Sequence, residues 1–364
     1  MKYKENWEDT MRRFLLWWNG GKVDRPMLRV VARRKEPIEA LEPAGPEGNP
    51  FERRLDIENA ARRMRNHCRT HRYMAEAFPH LTVDFGPGSL ATYLGSEPIF
   101  AEDTVWYREC IHDLDAWDGM RFDPENRWWK LHRNLIERAR TLAADDFLVG
   151  FPDVVENIDI LSAMRGPQKL CYDLLDEPEK VHSRLRQIDD LYFPYYDEFY
   201  DIIKLPDASS CYSPFSIWGP GKTAKVQCDF SALISPAQYR EFVLPSLQRQ
   251  CGRLTNSLYH LDGPDAIRHL DAVMEIKNLN ALQWTAGDGH PDGAAKQWYP
   301  IYEKVRAAGK SLWIHITDGG VEDWIKGADD IVGAFGAERL YLLFNEMEEK
   351  DAQRLMATAE DRWS

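Results

Sequence analysis

The chain predicts an α/β protein, a single (β/α)8 TIM barrel with an N-terminal helical extension. Three observations point there. Short apolar runs recur near Met27, Leu81, Phe147, Ser210, Ser257, Leu282, Ser311 and Leu340. A helical pattern separates each neighbouring pair, and strands that alternate with helices pair in parallel through right-handed crossovers. Eight such alternations in one chain of 364 residues favour a closed barrel over an open sheet. The extension is placed at residues 1–25 and the barrel at residues 26–364.

Each element has a local reason. Asn6 to Trp18 has helical periodicity, and Gly20-Gly21 stops it. Asp24-Arg25-Pro26 then leads into the strand at Met27 to Val31. Residues 36–49 are rich in Pro, Glu and Gly and read as a loop. Phe51 to Phe78 reads as an Arg-rich helix, and Leu81 to Phe85 as a strand broken by Gly86-Pro87-Gly88. Residues 96–126 are irregular. A helix follows over Arg127 to Ala143, and then the buried strand Phe147 to Phe151. A long helix opens at Glu177-Pro178 and runs to Ile203. Ser210 to Ser213 and Phe215 to Trp218 precede Gly219-Pro220-Gly221. The last strands are Ser257 to Leu261, Leu282 to Thr285, Ser311 to Ile316 and Leu340 to Phe344.

Composition narrows the function. Apolar residues make up 44%, enough for a large core. The formal charge of −13 repels phosphate backbones and argues against nucleic acid. No apolar run reaches about 18 residues, so no membrane span is expected. The N-terminus lacks the apolar core of a signal peptide, which makes the cytoplasm the expected location. The six cysteines form no Cys-x-x-Cys pair and read as core or inert thiols. No internal repeat is present, and no Gly-x-Gly-x-x-Gly follows a strand, so a dinucleotide site has no support.

The most informative stretch is Tyr259-His260-Leu261-Asp262-Gly263. Side chains alternate along a strand, so His260 and Asp262 share a face. Two such groups on an inner face need each other, a metal or a substrate. Upstream lies Ser235-Pro236-Ala237-Gln238-Tyr239-Arg240-Glu241-Phe242-Val243-Leu244-Pro245. This Ser-Pro helix, followed by a strand ending His-x-Asp-Gly, resembles the uroporphyrinogen decarboxylase superfamily. That superfamily includes zinc-dependent, corrinoid-linked methyltransferases.

The resemblance implies a TIM barrel with its site at the strand C-termini. In the methyltransferase branch a His-x-Cys pair on this strand and a later cysteine hold zinc. Here Asp262 stands for the first cysteine and Asn345-Glu346 occupies the end of the last strand. The implied ligand set is therefore His260, Asp262 and Glu346, with His315 as an alternative. Such a set accepts zinc, iron or manganese and is a poorer thiol activator than a thiolate site. In the decarboxylase branch an aspartate early in the barrel is essential, and Asp84 can fill that place. The glycine-spaced arginines of that branch are not matched by Val31-Ala32-Arg33-Arg34-Lys35, which argues against uroporphyrinogen as substrate.

The strand ends supply the remaining candidates. Asp84, His260 and His315 are the expected catalytic groups, and Tyr212, Trp218, Trp284 and Asn345 the expected substrate contacts. Three functions stay open: a metal-dependent methyltransferase or demethylase, a decarboxylase or lyase on a smaller acid, and a non-catalytic binding barrel. The expected cofactor is a divalent metal, zinc first. Any cobalamin would arrive on a corrinoid protein partner, since the chain has no Asp-x-His-x-x-Gly of its own. A small-molecule substrate is expected, and a homodimer is compatible with this reading.

Overall fold

The apolar runs assemble into the sheet that their alternation with helices requires. The computed structural model describes residues 1–43, 45–46, 48–115 and 120–363. Residues 44 and 47 of the 36–49 loop, residues 116–119 of the irregular 96–126 stretch, and Ser364 lie outside the described residues. The strands are β1 (Met27–Arg33), β2 (His71–Ala75), β3 (His80–Leu81), β4 (Pro98–Phe100), β5 (Val105–Tyr107), β6 (Leu148–Val149) and β7 (Ser210–Tyr212). They continue with β8 (Ile217–Gly219), β9 (Thr223–Gln227), β10 (Asn256–Asp262), β11 (Ala281–Thr285), β12 (Ser311–Ile316), β13 (Leu340–Phe344) and β14 (Met347–Glu348).

The main sheet has eight strands. Seven run in the order β14-β1-β13-β12-β11-β10-β9, and β2 adds to β1. The pairs from β9 to β13 and on to β1 are parallel, whereas β2 is antiparallel to β1. The protein is thus an α/β fold with a mixed sheet and flanking helices. Smaller arcs complete the strand set: β3 pairs with β6 in parallel, and Phe151 bridges Tyr212 in parallel. β4–β5 and β7–β8 are antiparallel hairpins.

The strands β4, β5 and β14 were not expected, and two further strands of the main sheet, β2 and β9, depart from the reading most. β2 lies within the segment read as helix from Phe51 to Phe78; the helix ends at Thr70 and the chain turns back along β1. His71-Arg72-Tyr73-Met74-Ala75 has no apolar run to mark it as a strand. β9 follows Gly221, where no strand was expected. Its inward residues, Lys225 and Gln227, are polar, so the apolar signature is missing.

The opening helix, α1 (Trp7–Asn19), seals one end of the sheet. Phe14, Trp17 and Trp18 are buried. The Trp17 indole donates to the Leu312 carbonyl at 3.2 Å, and the Trp18 indole to the Trp218 carbonyl at 2.8 Å. Leu312 is the second residue of β12, so α1 covers the N-terminal ends of the strands. Gly20 ends the helix at φ 73°, and a Cβ there would collide with the Arg339 guanidinium. That leaves the C-terminal strand ends as the open face.

The Ser-Pro helix holds β10 from outside. Ser235 and Gln238 form a capping box at its start. The helix runs through Pro236–Gln238, a π-turn at Tyr239–Val243, and Leu244–Arg253. Pro245 has no N–H to give the Glu241 carbonyl, which fits the wider turn, and the Leu244 N–H reaches Tyr239. The Tyr239 hydroxyl meets the Tyr259 hydroxyl at 3.0 Å, and its ring stacks on His269. Tyr259 therefore faces the helix, and its neighbour His260 faces the interior.

Candidate functional site

Strand register sets the first layer of the site. His260 lies opposite Gln227 of β9 and Gln283 of β11, and Gln283 opposite Trp313 of β12. Paired residues of parallel strands share a face, so Gln227, His260, Gln283 and Trp313 form one row. Two residues on, Asp262 lies opposite Thr285. The interior is polar where a purely structural sheet would be apolar.

A buried chain of groups stands behind this row. Lys225 is 3% exposed, and its ammonium lies 2.7 Å from the Asp153 carboxylate. The same ammonium donates to the Gln227 carbonyl oxygen. A lysine only donates, so the Gln227 oxygen must face it and the amide nitrogen must face away. That nitrogen donates to Asp229 at 2.8 Å and to Asp159 at 3.1 Å. Asp159 also accepts the backbone N–H groups of Asp229 and Phe230, each at 2.9 Å. Burial and the adjacent Asp229 push the Asp159 carboxyl up to about 6. Burial pushes Glu156 up to about 8, against the pull of Lys225, and its carboxyl accepts the Gln227 N–H at 2.7 Å.

Asp229 completes a triad. Ligating atoms of Asp229, His260 and Asp262 lie within 4.8 Å of one another. His260 Nε2 is 4.0 Å from Asp262, and its Nδ1 is bonded to the Gln283 side chain. Gln283 in turn donates to Thr285 at 2.6 Å. Burial raises the Asp262 carboxyl, with His260 opposing. One imidazole and two carboxylates in this space form a donor set suited to a divalent cation.

Glu346 belongs to a different cluster. His67 Nε2 lies 2.7 Å from its carboxylate and His71 Nε2 3.4 Å. The two imidazoles are stacked, 3.9 Å apart and 7° from parallel. Hydrogen bonds from His67 and His71 hold the Glu346 carboxyl far below its ordinary range. The three side chains, partly buried, can also hold a metal ion. The expected grouping of Glu346 with His260 and Asp262 thus resolves into two triads that share no residue. His67 and His71 were missed, although histidines four apart at a helix end lie on one face. Asp229 was missed because β9 was.

The other candidates fall around three cavities. Trp284 and His315 line one of about 550 Å³ with Arg29, Gln283 and His290. Burial lowers the His315 imidazole to about 4, and Arg29 adds to the effect. His260 does not line this cavity; its Nδ1 is bonded to Gln283, which does. Asp84 lines a second cavity of about 490 Å³, with Arg54, Arg63 and His67. Burial raises the Asp84 carboxyl, and Arg54 lies 3.2 Å from it. A third cavity, of about 370 Å³, opens onto Asp159, Gln227 and Asp229. Tyr212 is fully buried against Phe215, with rings 5.9 Å apart. Asn345 is exposed at the end of β13. Trp218 packs instead in the α1 cluster against Trp7 and Phe14, because β8 runs antiparallel to β7 and ends in the core.

Comparison with known proteins supports the fold. No family model matches the chain, and no curated protein does. Among solved structures, a methyltransferase from Methanosarcina mazei matches with a TM-score of 0.61 at 10% identity, covering 98% of this chain and 99% of that one. This is a full-length likeness of fold. No helix among the described residues is long and apolar enough to cross a membrane.

Proposed function

We propose that the protein is a metal-dependent methyltransferase or demethylase that works with a corrinoid protein. In this reading the eight-stranded sheet and the β3–β6 arc belong to one closed (β/α)8 barrel over residues 26–364, preceded by the extension at 1–25. The observation that carries the reading is the convergence of Asp229, His260 and Asp262 at adjacent strand ends. The donor set fits a divalent metal, zinc first, bound by nitrogen and oxygen alone.

Bound there, the metal supplies Lewis acidity. The chain's own residues do the rest. Gln283 fixes the His260 ring through Nδ1, which leaves Nε2 to face the carboxylates. Gln227, held by Lys225, steadies Asp229. His315, whose low pKa keeps it neutral, and Trp284 line the neighbouring cavity as substrate contacts. The cobalamin arrives on the partner, and the enzyme is placed in the cytoplasm.

The test is elemental analysis of protein purified without chelators, followed by methyl transfer to a corrinoid protein. About one zinc, iron or manganese per chain, lost in His260→Ala, is the expected result. A protein that neither takes up metal nor methylates a corrinoid overturns the reading. Release of carbon dioxide from a small acid, with the activity lost in Asp84→Asn, would assign the chain to the decarboxylase branch.

A further inference from the structure

The cluster of His67, His71 and Glu346 shares no residue with the centre proposed on His260, and it joins three places in the chain. His67 lies in the last turn of the helix Ile57–Thr70, His71 opens β2, and Glu346 follows β13. Strand β1 pairs with both β2 and β13, which brings the three side chains together.

The far nitrogen of each ring decides what the near one can offer. His71 Nδ1 lies 3.2 Å from the His67 carbonyl and 2.9 Å from the Thr70 hydroxyl. A carbonyl only accepts, and the Thr70 hydroxyl already donates to the Asn66 carbonyl at 2.8 Å. The proton therefore sits on Nδ1, and the neutral ring turns a bare Nε2 lone pair toward Glu346. His71 is 8% exposed, and its Nε2 meets no acceptor or donor closer than a Glu346 oxygen at 3.4 Å. That is long for a charge-assisted hydrogen bond. It is the spacing of two ligand atoms that share one metal: bonds of about 2.0–2.1 Å at a tetrahedral angle put them about 3.4 Å apart. His67 Nε2 is bonded to Glu346 at 2.7 Å, and its Nδ1 meets the Tyr73 hydroxyl at 2.6 Å. A hydroxyl donates or accepts, so Tyr73 can take the ring proton's hydrogen bond and free the His67 Nε2 as well. Partners on the far nitrogens are what aim an imidazole at a metal and fix its tautomer.

Two imidazoles and a carboxylate suit zinc, iron(II), cobalt(II) or nickel(II), whereas magnesium and calcium take oxygen ligands. Among the described residues no arginine or lysine is paired with Glu346; Arg53 and Arg54 of the adjoining cavity are paired with Glu102 and Asp84. Three protein ligands leave a coordination position open, and His67 also lines that cavity of about 490 Å³. We propose that His67, His71 and Glu346 form a second transition-metal site, independent of the centre on His260. Entry of the metal costs the His67–Glu346 hydrogen bond. The site therefore exchanges its metal with solution and empties on desalting, so that one metal per chain survives purification.

The test is cobalt(II) titration of the full chain carrying His260→Ala, near neutral pH, followed by visible absorption. Uptake of one cobalt per chain is expected while free metal is present. His71→Ala and Glu346→Gln, each added to His260→Ala, should abolish it; Glu346→Gln keeps the size of the side chain and its hydrogen bond to His67. Tyr73→Phe in the same background keeps the buried ring, removes the hydroxyl and should weaken cobalt about tenfold. No uptake by His260→Ala, or uptake that survives both His71→Ala and Glu346→Gln, would overturn the proposal. A parent chain whose metal is untouched by His260→Ala and lost in Glu346→Gln would sink the centre on His260 and leave this site standing.

Discussion

At the scale of single residues, the buried charges behind His260 set the chemistry and also cost stability. Lys225 keeps its proton although burial opposes it, because Asp153 and Glu156 outweigh the desolvation. Removing it strands Asp153 without a counter-charge. Lys225→Met should therefore destabilise the protein by about 3–5 kcal/mol, read from urea unfolding. Lys225→Met combined with Asp153→Leu should recover much of that loss. Glu156 gives a pH signature. Its carboxyl titrates at about 8 in the fold and at 4.5 when unconstrained, so the folded state binds more protons between those values. Its contribution is full below pH 4.5 and fades as pH rises through 8. Glu156→Gln should flatten the stability profile over that window, and equal slopes in both proteins would contradict the assignment.

The pair His260–Asp262 was legible in the sequence because a strand puts alternate residues on one face. The partners were not. Asp229 follows a strand whose inward residues are Lys225 and Gln227, and a periodicity search for apolar residues passes over it. His67 lies in the last turn of an Arg-rich helix whose charge pattern reads as a solvated surface, and His71 opens the strand that follows. Glu346 was recognised by its place after the last strand, but place along the chain does not fix which strand end it faces across the sheet.

At the scale of elements, α1 and the Ser-Pro helix do complementary work. α1 closes the N-terminal end with aromatic rings, so the opposite end is free for ligands. Trp17 is 2% exposed, packs on Phe14, Trp18 and Tyr341, and spends its N–H on Leu312. Trp17→Ala should cost about 3–5 kcal/mol in stability while metal binding in the folded protein stays as in the parent. A loss of ligand binding in folded Trp17→Ala would mean that the two ends are coupled. The Ser-Pro helix was legible from the motif that carries the family resemblance, and the strand at β10 from alternation. The mixed character of the sheet was not, because β2 carries no apolar run and is placed only by pairing with β1.

At the scale of the whole molecule, the chain divides its charge. It carries a net −13, yet arginines gather at the cavity beside Asp84 while carboxylates line the cavity beside Asp229. The metal-capable triad of Asp229, His260 and Asp262 adjoins the acidic one. The alternation of strands and helices made the α/β class legible, and the fold likeness extends over nearly the full length. The distribution of charge around the mouth depends on which strand ends become neighbours, and that is a tertiary property. The proposed metal centre on His260 is free of thiolates. X-ray absorption on the metal-loaded protein, repeated for His260→Ala and His67→Ala, tests it most directly. The spectrum should show a nitrogen and oxygen shell at about 2.0–2.2 Å with no sulfur, lost in His260→Ala and kept in His67→Ala. A sulfur shell near about 2.3 Å, or a metal signal untouched by His260→Ala, would contradict it.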